Sequence, residues 1–337
     1  MIDFKKFKEI VNNNTKFVLT THINPDGDAI GSQLALAYFL IKLGKEVKLI
    51  NHSQTPGNLK FLDEGNLIQQ YQSISDDVIL NTEVLIAIDF NEIKRVKSMV
   101  DIFNQSKAYK ICIDHHTNPK NFVDDFFCDT DYSASGEIVY ELIKYYDKNL
   151  LDKKIADALY AAIMTDTGSF RFERTSPRVH RIIAELIERG TNPTDIFNKI
   201  YNELSIAKLK LLGSGISNIE TTFDGAIAYM VITQEMMKAA DATDDDVDGF
   251  VNFCLSLKSA QIGILFFELK DGVKASLRSR DTFAVSQLAQ KFGGGGHINA
   301  AGIRFYNKKL DEVMLLLLEQ AKKDLIEFER RGKNAEV

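Results

Sequence analysis

Short apolar runs recur through the first half of the chain, spaced so that a helix fits between each pair. VLIAI at 84–88 and KICI at 110–113 are continuous and rich in β-branched residues. Runs of that length bounded by polar residues are too short for free-standing helices, and they fit strands buried on both faces in a parallel sheet. Lys16–Thr21, Glu46–Ile50, Val84–Asp89 and Tyr109–Ile113 form one series of this kind. Between them, helical periodicity predicts an amphipathic helix from about Ala29 to Leu43, closed by Gly44, and another over Lys94–Phe103. Further helices are predicted over Ser135–Tyr146, Asp152–Met164 and Pro177–Arg189, the last ending at Gly190. Such alternation predicts the α/β class, a parallel sheet flanked by helices.

The pattern changes twice after that. Residues 191–217 are helical in character and rich in Asn, Lys and Leu, and read as a connecting segment. NIETTF, AIAYMVIT, QIGILFFELK and VKASLRSR then read as strands, with turn signals at Asp224-Gly225 and Asp271-Gly272. Helices are predicted over Asp246–Leu257, Val285–Phe292 and Leu310 to about Arg330. The expected organisation is therefore a first domain at 1–190, a helical linker at 191–217 and a smaller α/β domain with a mixed sheet at 218–337. The stretch DATDDDVD lacks the spacing and closing Glu of a calcium loop and reads as a solvated helix start.

With 337 residues, 45% of them hydrophobic, each domain can bury a core. No run approaches the roughly 18 to 20 apolar residues that cross a bilayer, and MIDFKKFKEIVNNN lacks the apolar core of a signal peptide, so a cytoplasmic location is expected. The three cysteines, Cys112, Cys128 and Cys254, are odd in number and form no CxxC pair, which fits reduced core residues rather than zinc ligands. A net charge of −6 argues against coating long nucleic acid and leaves short anionic substrates open.

Four stretches set carboxylates or imidazoles just past an apolar run: His22, Asp26 and Asp28 in THINPDGD, Asp89 in VLIAIDF, Asp114, His115 and His116 in KICIDHH, and Asp166 in AAIMTDTG. A single Asp after a strand is commonly a helix N-cap, but four coincidences along one sheet edge are a different matter. So many carboxylates repel one another unless a cation lies among them. Pro25 and Gly27 are expected to bend the first loop so that Asp26 and Asp28 each serve a different ion. Asp89 is the natural bridge, with His115 and Asp166 completing the second set. Mixed imidazole and carboxylate ligation favours two manganese ions, with magnesium or cobalt as substitutes. Two such metals about 3.5 to 4 Å apart activate water and stabilise a phosphoryl group under in-line attack, so the reaction class is phosphoester or phosphoanhydride hydrolysis. His116 is placed to contact a phosphate oxygen or leaving group, and Asp114 to orient an imidazole. The catalytic candidates are His116, Asp89 and Asp114.

A second signal is GGGGHINAAG, where Gly294, Gly295 and Gly296 let backbone N–H groups approach an anion and His297 follows. Arg278 and Arg280, two apart in VKASLRSR, are expected on one side of a strand and within reach of a phosphate or base. His52 and His180 lack acidic neighbours at ligand spacing and are assigned to structure or surface.

HINPDGD, DHH, TDTG and GGGGH, in that order, make nearly the whole chain resemble the DHH phosphoesterase superfamily with a C-terminal DHHA1 domain, most similar in layout to the bacterial nano-RNase type. The resemblance implies one manganese on His22, Asp26 and Asp89 and a second on Asp28, Asp89, His115 and Asp166. It implies that His116 contacts the scissile phosphate, and that Arg278 and the GGGGH segment with His297 hold a nucleotide across an interdomain cleft. The implied substrates are very short oligonucleotides, or 3′-phosphonucleotides such as pAp, and the implied assembly is a homodimer. No long duplex and no membrane partner are expected. Cyclic dinucleotides, pyrophosphate or short polyphosphate are alternative substrates, and a non-hydrolysing nucleotide sensor is the non-enzymatic alternative. Phe90 and Asn91 depart from the small or acidic residues that many relatives carry after the second aspartate motif, and are expected to alter the wall of the site.

Overall fold

The run Val84–Ile88 is apolar at every position because it is enclosed on both sides. Val84, Ile86 and Ile88 enter one core while Leu85 and Ala87 enter another, as the two-residue period of a strand requires. The computed structural model describes residues 2–280 and 282–335, and the chain divides into two units between Glu203 and Leu204. No described helix is long and apolar enough to cross a membrane.

The first unit carries a six-stranded parallel sheet in the order β3-β2-β1-β4-β5-β6. The strands are β1 (Lys16–Thr21), β2 (Glu46–Asn51), β3 (Ile68–Gln70), β4 (Val84–Ile88), β5 (Tyr109–Asp114) and β6 (Asp125–Cys128). The order reverses between β1 and β4, and in open α/β sheets the crevice beyond the carboxyl ends at such a reversal is where ligands bind. Register makes that crevice acidic. Thr21 pairs with Ile88 and Ile88 with Ile113, so His22, Asp89 and Asp114 leave their strands at one edge.

Helices α1 (Phe4–Asn13), α2 (Gly27–Lys42), α3 (Ser135–Asp147), α4 (Lys153–Asp166) and α5 (Pro177–Glu188) complete this unit with shorter turns. Residues 27–40 of α2 are all buried, which explains a helix apolar nearly all round. It begins at Gly27, with Asp26 as N-cap, so Asp28 lies in its first turn and not in the expected loop. The preceding bend is made by Asn24 at φ 52°, not by Gly27. Lys94–Phe103 is not one helix. A 3₁₀ segment at Ile93–Met99 is broken within by Lys97 at φ 48°, ψ −105°, and a separate helix follows at Val100–Gln105. Val96, Met99 and Ile102 are buried three apart, a spacing that 3₁₀ geometry satisfies as well as an α-helix does.

In the second unit the sheet runs β11-β12-β10-β9-β8-β7, parallel only between β8 and β9. Its strands are β7 (Glu220–Thr222), β8 (Ile227–Ile232), β9 (Ile262–Leu269), β10 (Gly272–Ser279), β11 (Gly295–His297) and β12 (Ala300–Tyr306). Both DG turns join neighbouring antiparallel strands. Helices α6 (Ile206–Ser217), α7 (Val285–Gln290) and α8 (Leu310–Ala335) belong here. The stretch expected as the helix Asp246–Leu257 is a 3₁₀ turn at Asp244–Val247 and a short helix at Val251–Cys254, separated by Gly249 at φ 86°. Segment 191–217 is divided: Pro193–Asn202 lies in the first unit and α6 in the second.

Candidate metal centre

The six predicted ligands meet. His22 Nε2 lies 3.4 Å from Asp89 Oδ2, and His115 Nε2 lies 3.3 Å from Asp166 Oδ2, 3.6 Å from Asp89 Oδ1 and 3.8 Å from Asp28 Oδ2. Two triads result, His22/Asp26/Asp89 and Asp28/His115/Asp166, the potential ligand atoms of each lying within 4.8 Å of one another. Asp89 links them through its two oxygens. It holds φ 64°, a left-handed conformation that aspartate tolerates better than most residues and that is characteristic of functional sites, with its N–H bonded to Ile113 O at 2.9 Å.

The donor set passes a chemical test for divalent cations. Burial, then the charge of Asp26, pushes the Asp28 carboxyl up to about 7. Burial and the charges of Asp28 and Asp26 hold Asp89 and Asp166 well above the usual carboxylate range. Burial also holds the His22 imidazole below its ordinary value, and so neutral. The His22 Nδ1–H donates to Ile23 O at 2.8 Å, which directs the Nε2 lone pair toward the cluster, as a metal ligand requires. Carboxylates that resist ionisation together, with the neutral His22 imidazole turned inward, form a set that a dication completes.

Asp28 is fixed by groups that the sequence reading passed over. The start of α3 supplies Ser135 N at 2.6 Å and Gly136 N at 2.9 Å, and Ser32 Oγ adds a bond at 2.9 Å. Ser135 Oγ donates to Asp89 Oδ1 at 2.9 Å, so one helix start holds both carboxylates. The signal was the small-residue run SASGE. Position 136 must be glycine for space: a Cβ there lies 2.7 Å from Ala162 Cβ and 3.3 Å from Asp28 Oδ1. Gly136→Ala is expected to destabilise the chain by about 1–3 kcal/mol through overpacking. It should also raise the divalent-metal concentration needed for half-maximal activity; thermal melting and metal titration read the two effects.

His116 Nδ1 lies 2.6 Å from Asp114 Oδ1 at the end of β5, with Asp114 buried and His116 half-buried. Burial pushes the Asp114 carboxyl up, but the hydrogen bond and charge of His116 outweigh it and bring the group below the ordinary range. Asp114 is therefore an anion that orients His116. Phe90 does not line the site: it is fully buried and stacks on Phe122 at 5.5 Å, while Asn91 donates to Thr117 O. Cys112 and Cys128, distant in sequence, lie on neighbouring strands with sulfurs 3.7 Å apart, and both are free thiols. His52 bonds Ser98 Oγ at 2.7 Å, and His180 is exposed against the Phe170 ring.

In the second unit the Arg278 side chain is largely buried, donates to Leu277 O and has no ion pair among the described residues. The Arg280 guanidinium instead bonds the carbonyls of Leu255, Leu257 and Lys258, closing the turn after Val251–Cys254. The glycine run forms an edge hairpin. Cβ atoms at Gly294 or Gly296 run into the backbone of β12, whereas Gly295 has open space around its Cα. The His297 side chain lies outside what the structure describes.

A parallel sheet whose reversal point gathers aspartates and histidines, most of them buried, in two triads defines a metal-dependent phosphoester hydrolase. Residues 16–163 match the DHH family, N-terminal domain, and residues 224–325 match the DHHA1 domain. The chain is 30% identical over 308 residues to the bifunctional oligoribonuclease and PAP phosphatase NrnA of Thermus thermophilus, covering 91% of this chain and 89% of that one. It is 27% identical to the protein of the same name from Bacillus subtilis, covering 86% and 89%. A solved exopolyphosphatase-related protein from Bacteroides fragilis superposes with a TM-score of 0.91 at 33% identity over 96% of each chain. The chain belongs to the DHH/DHHA1 phosphoesterase family.

Proposed function

We propose that the chain hydrolyses very short oligonucleotides to mononucleotides and removes the 3′-phosphate of pAp, using two manganese ions. His22, Asp26 and Asp89 would hold one ion and Asp28, Asp89, His115 and Asp166 the other. The observation that carries this reading is the pair of triads joined through Asp89, in which His22, Asp28, Asp89 and His115 are buried, Asp166 is half-buried and Asp26 is exposed. Support for the nucleotide class comes from the relatives named as oligoribonuclease and PAP phosphatase, matched over most of both chains. Mixed nitrogen and oxygen donors favour a first-row dication over calcium.

When bound, such ions draw charge from phosphoryl oxygens and make water a competent nucleophile at neutral pH. The protein's own residues do the rest. Asp114 accepts the Nδ1 proton of His116, fixing the ring so that Nε2 is the nitrogen for a phosphate oxygen or the leaving oxygen. Ser135, Gly136 and Ser32 hold Asp28 by three hydrogen bonds, so it needs little reorganisation when substrate arrives. In the second unit Arg278, the backbone of Gly294–Gly296 and His297 would bind the nucleotide.

The test is hydrolysis by the purified chain with manganese of pApA, two-to-five-nucleotide RNA, pAp, cyclic dinucleotides, pyrophosphate and short polyphosphate. Mononucleotides from the short RNAs and AMP from pAp are the expected products. Phosphate release from polyphosphate or pyrophosphate with no nucleotide turnover would overturn the reading.

A further inference from the structure

Arg95 follows Asp89 by six residues, in the 3₁₀ turn after β4. Its carbonyl accepts from Ile23 N at 2.8 Å, which clips this turn to the residue next to His22. Two further bonds tie the same rim: Asn24 N to Ser53 Oγ at 3.0 Å, and His52 Nδ1 with Ser98 Oγ at 2.7 Å. Arg95 therefore stands on a braced edge at the carboxyl ends of β1, β2 and β4, on the His22 side of the centre.

Its side chain lacks what a half-buried arginine normally has. Nε is buried with no hydrogen-bond partner, and among the described residues the guanidinium makes no ion pair. Arg178 bonds Glu137 at 3.0 Å and Arg171 bonds Gly168 O at 2.7 Å, while Arg174 and Arg181 are exposed to water; Arg95 has its Nε buried without either compensation. A guanidinium offers five donors in a planar fork, and leaving it partly desolvated and unpaired is costly. An anion supplied from outside removes that cost, and the fork matches phosphate oxygens two at a time. The charge of Arg95 also reaches His22, where it acts with burial to keep the imidazole neutral.

We propose that Arg95 binds a second phosphate of the substrate, a terminal monoester beyond the scissile phosphate held at the His22/Asp89/His116 centre. The ligand class is a dinucleotide or bisphosphate carrying a terminal phosphate in addition to the one attacked. This inference rests on the reading of the chain as a nucleotide phosphoesterase.

The test compares pApA with ApA, which differ only in that phosphate. Wild type with manganese should prefer pApA in kcat/KM by about tenfold or more, the scale of a charge-assisted contact. Arg95→Gln should bring the ratio close to one, and Arg95→Lys, a point charge without the fork, should leave an intermediate ratio. Calorimetric titration of both dinucleotides into Asp89→Asn, with and without Arg95→Gln, reads the same increment without turnover. Equal use of ApA and pApA by wild type, or a preference that survives Arg95→Gln, would overturn the proposal. If wild type cleaves neither dinucleotide, the functional reading falls and the calorimetric difference alone decides the role of Arg95. Should Arg95→Gln fail to fold by circular dichroism, the Lys variant carries the comparison.

Discussion

Asp89→Asn should lower kcat/KM for phosphoester hydrolysis by more than about a hundredfold, the upper end of what is lost when a group that only supports a metal ligand is removed. The same change should make the metal-free protein more stable. Asp89 is buried beside Asp28, Asp114 and Asp166, and its carboxyl is held well above the usual range by burial and by their charge. Asparagine keeps the shape, accepts the Ser135 Oγ bond through its carbonyl and tolerates φ 64°. Relief of about 1 kcal/mol corresponds to roughly 2–4 °C in a unit of this size. Activity assays and thermal melts in chelator read the two effects. A structural role alone would lower both activity and melting temperature, whereas opposite signs identify a ligand held under electrostatic strain.

Manganese should raise the melting temperature, and more so as pH rises from about 5 to 8. The sign follows from the carboxyls. Asp28 is pushed up to about 7, and Asp89 and Asp166 are also raised, so in the folded metal-free state these groups keep protons that the unfolded chain has released. Their contribution to stability is present near pH 4 and is lost as pH rises through the folded values. His22, lowered by burial, acts in the opposite direction below its ordinary value near 6.5. A bound dication requires the ionised carboxylates and the neutral imidazole, so protons compete with it and its advantage grows with pH. At a metal concentration about 100 times the dissociation constant, one site adds about 2.7 kcal/mol. Melting curves in manganese and in chelator across this range measure the difference, and a gap that shrinks with rising pH would refute the ligand assignment.

How much of this was legible in sequence depended on length and period. Val84–Ile88 and Ile111–Ile113 could be read because enclosure on both faces leaves an unbroken apolar signature. β3 and β6 could not, since three or four edge residues that are mostly half-buried or exposed carry no such signature. The break at Lys97 was hidden because the apolar spacing around it serves a 3₁₀ turn and an α-helix alike. The six residues that cluster were readable as a group because each lies directly beyond a strand or at a helix end. The supporting bonds from Ser135 and Gly136 to Asp28 cross more than a hundred residues, and no local pattern encodes them. Arg280 illustrates the opposite failure: two residues from Arg278 in sequence, it lies past the end of β10 and spends its donors on backbone carbonyls.

The chain order of the ligands has a consequence for biosynthesis. His22, Asp26 and Asp28 are made first and Asp166 last, at the end of α4, the helix that packs along α2. Until α4 has been translated and docked, α2 lacks its main apolar partner and the second triad lacks a member. A growing polypeptide therefore cannot bring the two triads together before this part of the fold closes. The cluster needs the chain only as far as Asp166, so its members are all present before residues 167–203 of the first unit have been added.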